Sequence, residues 1–198
     1  MSGRDKRGRL PATEVAVMEP VRVYLSGPAG AGKTEAAMWL CRRHAFTRIS
    51  LGDMCRAEAE RRGWPCDRTH LQAAGDRVRG GDPARLAALA LERVRGRGDV
   101  VIDGVRLMAE GEYLRARGVI GVRLEAPEAV RRARLHRRDG AGDVPEHETE
   151  TEAARVPADF VWSTDPIGDG SALRVLVARV AALHASRYQL FQAGRRSG

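Results

Sequence analysis

The stretch GPAGAGKT, residues 27–34, decides the fold of this chain because it matches the pattern G-x-x-x-x-G-K-[ST] at every fixed position. Residues 21–26 before it form an apolar run typical of a buried strand, and residues 35–40 after it begin a helical pattern. The glycines let the backbone turn tightly and approach an anion closely. Since the N-terminus of a helix also favours negative charge, the stretch predicts a loop that wraps the phosphates of a nucleotide.

This loop, a P-loop, also predicts the cofactors. Lys33 is expected to reach the β- and γ-phosphates of ATP, and the Thr34 hydroxyl to bind Mg²⁺. Asp103 ends a second apolar run, residues 100–102, and is expected to bind the same Mg²⁺ directly or through water; the alternative is a turn or helix-capping acid. The predicted nucleotide-binding residues are Gly27, Ala29, Gly30, Ala31, Gly32, Lys33, Thr34 and Glu35.

Strand patterns alternate with helical patterns along the whole chain. The predicted strands are residues 21–26, 46–50, 99–103, 119–125 and 158–162. This alternation predicts an α/β fold of three layers, in which a five-stranded parallel sheet carries helices on both faces. Ligands bind beyond the carboxyl ends of the strands in such sheets, so the P-loop, Asp53 and Asp103 are expected to meet at one edge.

Length and composition predict one domain, residues 19–192, between a flexible basic tail at 1–18 and a short tail at 193–198. The N-terminus lacks an apolar segment typical of a secretory signal, and no apolar run is long enough to cross a membrane, so a cytoplasmic location without a membrane partner is expected. The three cysteines are too few and too widely spaced for a disulfide framework or a zinc site.

The chain carries a net charge of +8, and only Lys6 and Lys33 among its 34 basic residues are lysines. Such a positive field attracts phosphates. A nucleotide is sufficient as the anion, and nucleic acid remains a less favoured partner.

Two further segments resemble a known family. Residues 49–56, ISLGDMCR, resemble the S-T-G-D-M-x-R segment of adenylate kinase, and residues 101–106, VIDGVR, resemble its L-D-G-F-P-R. The second segment is closer still to nucleotide kinases related to adenylate kinase and dephospho-CoA kinase, in which V-I-D-G-x-R-S-x-x-E-x-x-x-L recurs. The resemblance covers roughly residues 20–185 and implies transfer of a phosphoryl group from ATP to a small nucleotide-like acceptor, by a monomer or a homodimer.

The resemblance also assigns roles at the acceptor side. It implies that Arg56 and Arg106 hold the phosphate of the acceptor, which a guanidinium fork suits well. Asp53 would face the acceptor, as an orienting group or as a base for a hydroxyl acceptor. The predicted catalytic residues are Lys33, Asp53, Arg106, Arg134 and Arg138.

Arg134 and Arg138 belong to an arginine-rich helix that precedes a polar, glycine-containing loop. Together they predict a short lid, at about residues 131–152, that closes over the transferring phosphoryl group and excludes water. A solvated basic helix face is the alternative. The loop after the fifth strand, residues 163–166, is expected to contribute to the base pocket.

Three functions stay open at this point. The favoured one is a kinase of a nucleoside or deoxynucleoside monophosphate. The second is a kinase of a hydroxyl acceptor, either dephospho-CoA or a modified base in DNA. The third is an ATP-binding switch or a nucleic-acid-binding protein without kinase activity, which would not need the arginines Arg56 and Arg106.

Overall fold

A computed structural model describes residues 20–139 and 152–164, and these two ranges contain five strands and six helices. The strands are β1 (Arg22–Ser26), β2 (Thr47–Ser50), β3 (Val100–Asp103), β4 (Ile120–Glu125) and β5 (Phe160–Ser163). The helices are α1 (Lys33–His44), α2 (Leu51–Arg61), α3 (Arg68–Arg79), α4 (Arg85–Arg93), α5 (Met108–Arg115) and α6 (Glu128–Asp139).

The five strands form one parallel sheet in the order β2-β3-β1-β4-β5, which confirms the predicted fold. After β1 the chain crosses to the edge strand β2, returns to β3, and then passes to β4 on the other side of β1. The carboxyl ends around β1 are level, since Leu25 is paired with Asp103, and Asp103 with Ser50. The chain thus adds strands first on one side of β1 and then on the other. This reversal leaves a crevice beyond the carboxyl end of β1, where the P-loop begins.

Two hydrophobic cores lie on opposite faces of the sheet because successive side chains of a strand point to opposite sides. Val23 and Leu25 of β1 pack into the core that contains Leu40 of α1. Tyr24, between them in sequence, packs into the other core, with Leu114 of α5. The sheet is thus covered on both faces, as the alternation of strands and helices predicts.

Helix α2 begins directly at the end of β2. The backbone N–H of Asp53 donates to Ser50 Oγ over 3.1 Å, so Ser50 is the N-cap and Leu51 the first helical residue. Ser50 and Asp53 are both good helix N-caps, and the sequence alone predicts a helix from about Met54 to Arg62. The predicted start is wrong because the strand passes into the helix with no linker between them. Asp53 consequently lies in the first turn of α2, close to the edge of the sheet.

The other sequence predictions can be compared with the structure only over residues 20–139 and 152–164. Cys41 and Cys55 are half-buried, Cys66 is exposed, and all three are free thiols in the structure. No helix among the described residues is long and apolar enough to cross a membrane. Both tails, residues 140–151 of the predicted lid, and a helix predicted from residue 171 lie outside the described residues.

Candidate functional site

The P-loop is built on glycines that no other residue could replace without strain. Gly27 has a φ of 124°, and a Cβ there would lie 2.1 Å from the carbonyl oxygen of Leu124. Gly30 has a φ of 75°, and its Cβ would lie 2.6 Å from the carbonyl oxygen of Arg131. The loop therefore packs between β4 and α6, and at Gly27 and Gly30 its backbone lies so close to the backbone of these elements that a side chain has no room.

Lys33 is the first residue of α1, and Gly32, in the left-handed region, precedes it. The Lys33 ammonium donates to the carbonyl oxygens of Gly27 (2.6 Å) and Pro28 (2.8 Å), so it folds back over the loop. Glu35 turns outward instead and pairs with Arg42 at 3.2 Å. A phosphate contact from Glu35 would therefore have to come from its backbone N–H.

Asp103 lies at the tip of β3, buried to 4% side-chain exposure, and accepts a hydrogen bond from the Thr34 hydroxyl over 3.2 Å. A hydroxyl and a carboxylate beside a phosphate loop fit Mg²⁺, which takes hard oxygen ligands from few protein groups and from the phosphates of its substrate. Among the described residues no group of three or more His, Cys, Asp or Glu side chains could hold a metal by itself. The donor set thus suits a cation that arrives with a nucleotide.

Arg48 of β2 was not predicted, yet it joins the two acids of the site. Its Nη2 and Nε donate to Oδ2 of Asp103 over 2.8 and 3.3 Å, and its Nη1 donates to Oδ2 of Asp53 over 2.9 Å. Burial lowers the pKa of the Arg48 guanidinium, but the hydrogen bonds and charges of Asp103 and Asp53 outweigh this and raise its pKa above the ordinary value. The one sequence signal was an arginine inside a short strand, with nothing to indicate its partners.

Asp53 also accepts a hydrogen bond from Arg56, three residues further along α2. The predicted substrate residues Asp53 and Arg56 are thus in direct contact and half-exposed at the edge of the sheet. A continuous series of contacts runs from the P-loop to these residues, through Thr34, Asp103, Arg48, Asp53 and Arg56.

Arg106 lies on the loop between β3 and α5, and Glu110 fixes that loop. The backbone N–H groups of Arg106 and Leu107 donate to Oε2 of Glu110 over 3.0 and 3.2 Å. Oε1 of Glu110 accepts from Arg79 of α3 over 3.0 Å, and the Glu110 side chain is only 1% exposed. The buried carboxylate therefore ties the arginine-bearing loop to α3.

The thiol of Cys55, on α2, is half-buried among charged side chains. Burial raises its pKa most strongly, and the positive charges of Arg79, Arg106 and Arg56 act in the opposite direction, while Glu110 adds to the rise. Arg56 and Arg106, which are 50 residues apart in sequence, are therefore both close enough for their charges to act on this thiol.

Helix α6 is a wall of the P-loop in this structure. Arg134 donates to the carbonyl oxygen of Gly30 (3.1 Å) and to the hydroxyl (2.9 Å) and carbonyl (2.8 Å) oxygens of Thr164. Thr164 in turn donates to the carbonyl oxygen of Ala31 over 3.0 Å. Arg138 lies one turn later and is exposed. The predicted closure of a lid stays a prediction, and of residues 163–166 the structure describes only Ser163 and Thr164.

The parallel sheet and the loop define the class: a P-loop NTPase with the α/β architecture of small kinases. The chain belongs to the AAA domain family, whose model matches residues 23–154, and to the UPF0200 proteins.

A UPF0200 protein of Pyrococcus horikoshii is 38% identical over 130 residues, which cover 61% of this chain and 69% of the relative. A UPF0200 protein of Pyrobaculum aerophilum is 41% identical over 90 residues, covering 46% of this chain and 49% of the relative. The chain thus matches about half the length of this second relative.

Solved structures share the fold at low sequence identity. A gluconokinase from Sinorhizobium meliloti superposes with a TM-score of 0.59 at 18% identity, covering 86% of this chain and 97% of the other. A shikimate kinase from Acinetobacter baumannii, solved with shikimate, superposes with a TM-score of 0.52 at 18% identity, covering 86% and 96%. At this identity the likeness shows the fold alone.

Proposed function

We propose that this protein is an ATP-dependent phosphotransferase that moves the γ-phosphoryl group of ATP to a nucleotide-like acceptor, with a nucleoside or deoxynucleoside monophosphate favoured. The observation that carries the proposal is the series of contacts from Thr34 through Asp103, Arg48 and Asp53 to Arg56. It connects a nucleotide loop to arginines suited to a second anion. A binding switch needs the first of these features only.

On the nucleotide side, the chain supplies positive charge and orientation. Lys33 and the backbone N–H groups of the loop would bind the phosphates, and Thr34 and Asp103 would hold Mg²⁺. When bound, the cation neutralises charge that develops on the phosphates. Phosphoryl transfer asks little covalent chemistry of the protein, so positioning and charge account for most of its contribution.

On the acceptor side, Arg56 and Arg106 would hold the phosphate of the substrate, since the charges of both arginines act on the Cys55 thiol of α2. A monophosphate oxygen is already anionic near neutral pH, so it needs little help from a base. Both oxygens of Asp53 accept hydrogen bonds from arginines, which fits an orienting role.

A hydroxyl acceptor is the second candidate. The carboxylate of Asp53 is half-exposed in the first turn of α2, where it could take a proton from a hydroxyl. Two structures that share the fold are named gluconokinase and shikimate kinase, so gluconate and shikimate are included among the acceptors to be tested. Under this reading the acceptor is dephospho-CoA, a modified base in DNA or another alcohol.

The deciding experiment is ADP release with Mg-ATP across a panel of nucleoside and deoxynucleoside monophosphates, dephospho-CoA, gluconate, shikimate and duplex DNA. Stimulation by one class of acceptor identifies it. ATP binding without stimulation by any of them would contradict the proposal and favour a switch. A DNA complex that dissociates steeply as salt rises would favour a nucleic-acid partner.

Replacing Arg106 with alanine tests the acceptor side. We expect it to raise the acceptor KM or lower kcat by about tenfold or more, because a charged hydrogen bond to the acceptor phosphate is lost. ATP affinity, measured by calorimetry, should change by less than about threefold. Arg93→Ala, which removes an exposed arginine of α4, is the control and should change neither. Equal losses of ATP and acceptor binding would contradict the assigned role of Arg106.

A further inference from the structure

The strongest unexplained feature of the site is the pairing of Asp103 with Arg48. A carboxylate that is 4% exposed needs a positive partner or a cation, because burying an isolated charge is costly. Arg48 supplies that partner through two donors, Nη2 at 2.8 Å and Nε at 3.3 Å, and both reach the same oxygen, Oδ2. This is also the oxygen that Thr34 approaches at 3.2 Å.

The same guanidinium is bound on its other side. Its Nη1 donates to Asp53 over 2.9 Å, and Asp53 also binds Arg56. Because the guanidinium is planar and rigid, Arg48 cannot change its contact with Asp103 without changing its contact with Asp53. The side chain is 22% exposed, so it lies inside the site with its charge held between the two acids.

We propose that Arg48 is a positioning residue that serves as the counter-ion of Asp103 when no cation is bound there, and that shifts toward Asp53 and the acceptor when Asp103 becomes a cation ligand. The proposal rests on the proposed function, because it needs Asp103 to receive a cation together with the nucleotide. Oδ2 of Asp103 cannot keep both Arg48 hydrogen bonds at full strength and also bind a cation, since two positive charges would then meet at one oxygen.

This arrangement couples the two halves of the site. In the nucleotide-free protein the positive charge of Arg48 is paired with Asp103. It becomes available to an acceptor anion once the nucleotide and its cation are bound. Binding of the nucleotide with its cation therefore strengthens binding of an acceptor anion, and the reverse holds by linkage.

The test compares binding of ADP in the presence of Mg²⁺ and in the presence of EDTA by isothermal titration calorimetry. The dissociation constant with EDTA divided by that with Mg²⁺ is the benefit of Mg²⁺. A general loss of positive charge near the phosphates weakens ADP binding under both conditions and therefore cancels from this ratio. In Arg48→Gln the carboxylate of Asp103 has lost its competing partner, so we expect the benefit of Mg²⁺ to rise by about fivefold or more.

Arg43→Gln is the control, because it makes the same change of residue at an exposed position in the last turn of α1. It should leave the benefit of Mg²⁺ within about twofold of the wild-type value. An unchanged or smaller benefit in Arg48→Gln would overturn the proposal. If wild-type protein bound no ADP at all, the proposed function would fail, which is a separate result.

A second measurement follows the response in the wild-type protein and does not depend on the folding of Arg48→Gln. The Nε–H resonance of Arg48, identified by its loss in Arg48→Lys, should shift when ADP is added with Mg²⁺ and should shift much less with ADP and EDTA. Equal shifts under the two conditions would show that Asp103 and Arg48 do not respond to the cation, and would overturn the proposal.

Discussion

Replacing Lys33 with alanine is expected to lower turnover by about two to three orders of magnitude while the chain stays folded. The Lys33 ammonium binds the carbonyl oxygens of Gly27 and Pro28, directly over the loop that would cradle the phosphates. It is the charge best placed to stabilise the phosphates during transfer. The side chain belongs to neither hydrophobic core, so its removal should not cost the packing of α1.

The measurement is the rate of ADP release with the acceptor identified from the panel, accompanied by circular dichroism and a thermal melt. Arg43→Ala is the control, because it removes a positive charge from the last turn of the same helix at an exposed position. Its turnover should stay within about twofold of wild type. If Lys33→Ala kept its turnover, the assignment of residues 27–34 to the phosphates would be wrong.

Replacing Glu110 with alanine should lower the free energy of unfolding by about 3 kcal/mol, more than any of the other substitutions proposed for this protein. Its carboxylate is buried and binds Arg79 together with two backbone N–H groups at the start of α5. Removing it leaves the largely buried Arg79 guanidinium without this partner and two N–H groups without an acceptor. For a chain of this size we expect the midpoint of thermal unfolding to fall by about 6–12 °C.

Calorimetric or circular dichroism melts would measure this loss, with Glu128→Ala as the control. Glu128 forms an ion pair with Arg132 on the surface of α6, where both side chains are mostly exposed. An exposed pair of this kind contributes less than about 1 kcal/mol, so the control should melt near wild type. A melt of Glu110→Ala as high as that of the control would show that the Glu110 contacts do not hold the Arg106 loop.

The fold could be predicted because its signals are local. The P-loop pattern occupies eight consecutive residues, and strand patterns alternate with helical patterns along the chain, which is typical of a parallel sheet. The meeting of Asp53 and Asp103 near the P-loop follows from the same topology, because parallel strands bring their carboxyl ends to one edge. The resemblance to nucleotide kinases then indicated Arg56 and Arg106.

The polar network could not be predicted, because it joins residues far apart in sequence. Arg48 and Asp103 are 55 residues apart, and nothing in the neighbourhood of either residue specifies the other. Arg134 illustrates the same limit: its position on a basic helix indicated a lid, whereas its contacts with Gly30 and Thr164 depend on how α6 packs against the loop. The first residue of α2 was missed because the choice between two capping residues depends on where β2 ends.

Helices α2, α3 and α4 form one continuous segment of the chain, between Ser50 at the end of β2 and Val100 at the start of β3. The loop of residues 27–34 lies outside this segment, and so does Asp103. Substitutions or insertions confined to this segment would remodel one wall of the crevice without altering the P-loop or Asp103. Under the proposed function, part of the selectivity for the acceptor is in that sense modular: a graft of this single segment between related chains would transfer the contribution of Asp53 and Arg56, and that of Arg106 would stay with the recipient chain.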